Sequence, residues 1–192
     1  VLHSTFFKPV VVLLAVAIPA WFIARGAFRK RTTGIDISFS REFLLFVFYL
    51  YLIAIAAITI VPLSYSVHRA PEANDINMVP FKPTIRAIKQ AMRYERFSVR
   101  MLFQNTAGNV LMFIPFGFLL PLVIKRINSF VKIFLAGLFF SASIEFIQYI
   151  ERSFGVYRAV DIDDVILNTI GAIIGWMILC SLRWFAGLFQ PK

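Results

Sequence analysis

Apolar residues gather into five long runs, and short polar stretches part them. A helix that crosses a bilayer needs about 20 mostly apolar residues. The runs lie at about Phe6 to Ala24, Glu42 to Leu63, Thr106 to Ile124, Val131 to Ile150 and Val165 to Leu182. This pattern predicts an all-α integral membrane protein: one domain over residues 1–192, with a bundle of five transmembrane helices. The first run has only Lys8 near its start and no interior polar group, so it reads as a peripheral anchor, bent at Pro19. Its basic cluster follows the apolar stretch, whereas a signal peptide carries that cluster before it. In the second run Tyr49, Tyr51 and Thr59 are expected to pack. In the third, Pro115 removes a backbone hydrogen bond and should bend the helix.

The stretch from Ser64 to Gln104 is polar but not uniform. Asn77-Met78-Val79-Pro80-Phe81 reads as an extended, partly apolar step. After it come Lys82, Arg86, Lys89, Arg93, Arg96 and Arg100, at intervals of four, three, four, three and four. That spacing sets six bases on one helical face, while Ile85, Ile88, Met92 and Val99 supply an apolar one. An amphipathic helix over about 82–100, lying in the membrane interface, is expected. Pro83 is tolerated in its first turn. The bases suit anionic lipid head groups, or more sharply a phosphate or pyrophosphate, whose oxygens an arginine fork matches.

Composition sharpens the class. The chain is 59% hydrophobic and 16% charged, against about a quarter charged in soluble domains. Its net charge of +10 would suggest nucleic acid in a soluble protein. Here the bases sit mostly between apolar runs and no nucleic-acid motif accompanies them, so that class is set aside. Arg25, Arg29, Lys30, Arg31 and Arg41 fill one short loop, which the positive-inside rule places in the cytoplasm, leaving the N-terminus outside. Cys180 is the only cysteine, which rules out an intrachain disulfide. His3 and His68 fit no metal-ligand spacing, and no cofactor is expected.

Chemistry concentrates where polar residues interrupt apolar helices. On the fourth run Gly137, Ser141, Glu145, Gln148 and Arg152 share a face. On the fifth, Asp161, Asp164, Asn168, Gly171 and Gly175 do the same; on the third, Asn105 and Asn109 are one turn apart with Gly108 alongside. Alternating passage through the bilayer brings these three helix ends to one side, the outer one in this orientation. Glu145 lies about six residues from its helix end, or roughly 9 Å deep. A carboxylate there needs a partner or a proton, and Arg152 or Arg158 is the expected partner. Small residues on the same faces let helices approach closely, and Gly171 to Gly175 is a GxxxG pair. Asn105-Thr-Ala-Gly108 is echoed by Asn168-Thr-Ile-Gly171, which suggests similar structural roles for the two amides.

The run Asn105-Thr-Ala-Gly-Asn-Val-Leu-Met-Phe-Ile-Pro-Phe-Gly-Phe-Leu-Leu-Pro resembles the third-span signature of the VanZ-like family. So do Glu145-x-x-Gln148, Arg158, Asp161-Ile-Asp-Asp164 and Asn168-Thr-Ile-Gly171, with Asn77-Met-Val-Pro-Phe81 as that family's loop. The likeness covers the chain from about Asn77 to Gly175. It implies an integral membrane protein of a group associated with lowered susceptibility to glycopeptide antibiotics of the teicoplanin type.

Three readings stay open at this level. Asn109, Glu145, Gln148 and Asn168 either hydrogen-bond across helices and nothing more, or line a ligand site together with Asn105, Arg158, Asp161 and Asp164. The ligand would be membrane lipid, a lipid-linked cell-envelope precursor or a lipidated glycopeptide. The third reading is an enzyme holding Mg²⁺ on Asp161, Asp163 and Asp164 and acting on a lipid pyrophosphate. No nucleophile–base pair accompanies those acids. A small proton-coupled transporter and a homo-oligomer are further alternatives.

Overall fold

The computed structural model describes residues 2–31, 38–60, 76–82, 85, 88–89, 97–154 and 159–188, with the backbone alone for 2–10, 29–31, 97–105 and 188. The five apolar runs are five helices long and apolar enough to cross a membrane: α1 (Leu2–Arg31), α2 (Phe39–Thr59), α3 (Phe97–Val123), α4 (Phe130–Ser153) and α5 (Ile162–Leu188). Two short strands, β1 (Ile76–Asn77) and β2 (Val160–Asp161), pair in parallel. The chain divides into two compact units, Val1–Val67 and His68–Lys192.

The first unit is an antiparallel hairpin of α1 and α2. Near the turn Arg25 pairs with Glu42 through two hydrogen bonds and lies over the rings of Trp21 and Phe28. Lower down Tyr49 donates to the Ala17 carbonyl at 3.2 Å, and Trp21 packs on Phe46 and Tyr49. The helix continues unbroken through Pro19. Thr59 is satisfied within its own helix by the Ile55 carbonyl. α2 begins three residues before the apolar run does, at Phe39, and residues 61–63 lie outside the described set.

In the second unit α3 and α5 run parallel in close backbone contact, with α4 antiparallel against α5. Lipid offers no hydrophobic drive for helix association, so close packing of small residues must supply it. A methyl group at Gly117 would overlap the Ala172 carbonyl. At Gly171 it would overlap the Val110 carbonyl, and at Gly175 the Ile114 carbonyl, with Phe118 N only 2.9 Å away. On the other flank of α5 a Cβ at Gly137 would stand 2.9 Å from the Ala172 Cβ and 3.6 Å from the Thr169 Cα. Ala172 therefore touches both neighbouring helices. Beside this contact Phe113, Phe116 and Phe140 form a ring cluster, with Phe116 stacked on Phe140 at 4.9 Å.

The largest departure from the sequence pattern is at the start of α3. α3 starts at Phe97, nine residues before its apolar run, so Phe97–Arg100 form its first turn and do not end an interfacial segment. Helical pairing outlasts hydrophobicity there, because polar side chains cost nothing where a helix leaves the bilayer. Of the expected interfacial helix over 82–100, Lys82, Ile85, Ile88 and Lys89 are helical and exposed; Arg86, Arg93 and Arg96 lie outside the described residues.

Candidate functional site

The start of α5 gathers the polar side chains. Asp161 caps the helix: its Oδ1 accepts the Asp163 N–H at 2.9 Å, satisfying a donor that the first turn leaves without an intrahelical partner. The same oxygen accepts Asn77 Nδ2 at 2.7 Å, which ties β1 to the cap. Strand register pairs Ile76 with Val160 and Asn77 with Asp161. Four residues after Asn77, Phe81 donates its N–H to the buried Asp163 at 2.6 Å. Phe81 has φ of 61°, a left-handed conformation that costs a non-glycine residue on the order of 1 kcal/mol or more. Residues 76–82 thus form a strap held over the helix N-terminus by two carboxylates and a strand pair.

Beneath the strap three helices meet. From α3, Asn109 donates to Asp164 Oδ1. From α4, Glu145 Oε2 accepts the Asp161 N–H at 3.1 Å. One turn further in, Asn168 Nδ2 donates to Ser141 Oγ at 2.8 Å. Glu145 is 8% exposed and Asn168 only 2%. Four carboxylates around one helix N-terminus suit its positive dipole end. Gln148 and Arg152 continue the α4 face, half-buried.

The Asn168 amide is not fully matched. Its Oδ1 is buried and has no hydrogen-bond partner among the described residues. An orphaned amide oxygen in an apolar interior costs about 1–3 kcal/mol. Such groups in folded proteins are usually met by water or a ligand.

The faces inferred for the third, fourth and fifth runs therefore come together at Asn109, Glu145, Asp161, Asp164 and Asn168. The structure gives Glu145 the Asp161 N–H, a backbone donor that no spacing rule foresees. Arg158 lies outside the described residues, and the Asn105 side chain with it; so does that of Arg100. α4 extends to Ser153, about 12 Å beyond Glu145 at 1.5 Å per residue, yet α5 begins at the level of that carboxylate. Glu145 thus sits at the mouth of α5. Gly108 is exposed with nothing near its missing Cβ, whereas Gly171 meets the α3 backbone, so the two echoed tetrapeptides differ at their glycines.

Asn77, Ser141 and Asp163 join the seam as well: Ser141 lies on the expected face of α4, Asp163 is one of the three acids of the enzyme reading, and Asn77 comes from the extended step outside the helices. Their signal is local: an acid at the first and third positions of an N-cap run, and a serine one turn from Glu145. As a donor set for a metal the acids are ill-disposed. Asp161, Asp163 and Asp164 point to separate donors, and no three His, Cys, Asp or Glu groups converge among the described residues.

Comparison with known proteins adds to this geometry. The VanZ/LLP1 family model matches residues 48–185, a range that holds every polar residue of the seam. Protein VanZ of Enterococcus faecium is 37% identical over 87 residues, 45% of this chain and 51% of that protein. The chain thus spans about half the length of that curated relative. No solved structure matches. With the family match running through well over half of the sequence and through all three helices that build the seam, the chain belongs to the VanZ/LLP1 family.

Proposed function

We propose that this membrane protein lowers susceptibility to glycopeptides of the teicoplanin type by binding an amphiphile at the outer leaflet. The amphiphile is a lipid-linked cell-envelope precursor or a lipidated glycopeptide. The buried Asn168 oxygen carries this reading, because it leaves an acceptor in an apolar interior where a ligand N–H or O–H would match it. Asn109, Glu145, Asp161 and Asp164 supply further polar groups on the same three helices. Arg158 and the bases Lys82, Arg86, Lys89, Arg93, Arg96 and Arg100 would take phosphate or carboxylate. Acyl or prenyl chains would lie against the apolar helix flanks.

The test is antibiotic protection in a susceptible host expressing the chain. Asp164→Ala, Arg158→Ala and Asn168→Ala are each expected to abolish protection while the protein's abundance in membranes stays unchanged. Full protection by all three would leave the seam a purely structural device and overturn the proposal.

A further inference from the structure

We infer that the opposite end of the His68–Lys192 unit binds the head groups of anionic phospholipids. There α3 ends at Val123, α4 begins at Phe130 and α5 ends at Leu188. Lys125, Arg126, Lys132 and Arg183 are all exposed on this end, and neither 124–134 nor 181–187 contains an acid. Two hydrogen bonds hold the bases on one rim. Arg183 Nη1 donates to Asn128 Oδ1 at 3.1 Å, and Lys132 Nζ to the Arg126 carbonyl at 2.8 Å. With its oxygen taken by Arg183, Asn128 offers its NH₂ group beside the guanidinium.

Magnitudes favour an anion. Two helix C-termini and one N-terminus contribute about −0.5 charge in sum, against four full positive charges. The rim is therefore strongly positive even with the helix dipoles included. The source is lipid rather than free phosphate, because exposed Phe130, Phe134, Leu182 and Phe185 flank the bases where acyl chains would run. Trp184 packs edge-on against Phe185 at 4.9 Å, and an exposed tryptophan at a helix end sits at head-group level. The bases then stand at the height of the lipid phosphodiesters. This site lies away from the polar seam and does not depend on the proposed function.

The experiment is native mass spectrometry of the full chain in detergent, given equal amounts of phosphatidylglycerol and phosphatidylcholine. Preferential retention of phosphatidylglycerol is expected, undiminished by millimolar inorganic phosphate. Replacing Lys125, Arg126, Lys132 and Arg183 by Gln should weaken that preference about fivefold for each charge removed. Lys132 and Arg183 make internal contacts, so Lys125→Gln with Arg126→Gln serves as the variant that disturbs no described side-chain bond. Equal retention of the two lipids would overturn the inference. So would an unaltered preference in the fourfold variant, or displacement by phosphate.

Discussion

Asp161 does three things with one carboxyl group and its own backbone amide: it caps α5, fastens Asn77 of the strap and feeds an N–H to Glu145. Losing a cap costs about 0.5–2 kcal/mol, and losing the clamp adds to that. Asp161→Ala should therefore lower the unfolding temperature in detergent, while Asp161→Asn, which keeps an acceptor, should hold it close to that of the parent. Equal losses in the two variants would show that charge, not capping geometry, matters there. Phe81 offers a second residue-scale check. Phe81→Gly relieves the left-handed backbone in the folded state but gives the unfolded chain more freedom, so the two effects offset to within about 1 kcal/mol. At this scale the residue types were legible, since acids and amides in apolar runs stand out. Their partners were not: Asp163 with the Phe81 N–H joins residues 82 positions apart.

At the scale of elements, the contact between α3 and α5 rests on glycines that differ sharply in their surroundings. Gly171→Ala and Gly175→Ala drive a methyl into an α3 carbonyl, so each should destabilise the second unit by about 2 kcal/mol or more. Gly108→Ala meets open space and should stabilise α3 by up to about 1 kcal/mol. Thermal unfolding in detergent separates the two cases by sign. The strap can be checked by crosslinking: with Cys180 replaced, Ile76→Cys and Val160→Cys should form a disulfide, because these two residues are register partners. The helices themselves follow from run length, and the face of α5 that packs on α3 from the Gly171–Gly175 spacing. A two-residue strand pair is too short to leave a periodic trace, so β1 and β2 appear in sequence only as an extended step and a polar turn.

At the scale of the molecule the governing fact is that five helices among the described residues are long and apolar enough to span a bilayer. In the second unit the strap and the α5 start lie at one end, and the loop after α3 at the other. Met78→Cys and Ser129→Cys, both at exposed positions, should react with a membrane-impermeant thiol reagent from opposite sides of the membrane. In the orientation with the N-terminus outside, Met78→Cys is the one labelled in intact cells. Labelling of both from one side would contradict the alternating passage on which the site rests.

The sequence alone determined the number of helices, the membrane as solvent, and the faces of the third, fourth and fifth runs that carry polar groups. These follow from local physics: length against bilayer thickness, the helical repeat, and the cost of burying charge in lipid. Only the tertiary structure decided that Glu145 meets the α5 amide, that Asn109 meets Asp164, and that Asn168 keeps an unmatched oxygen beside Ser141. Such pairings depend on how far one helix slides along another. That offset is set by glycines seated against the backbone of a neighbouring helix, which no single helix encodes.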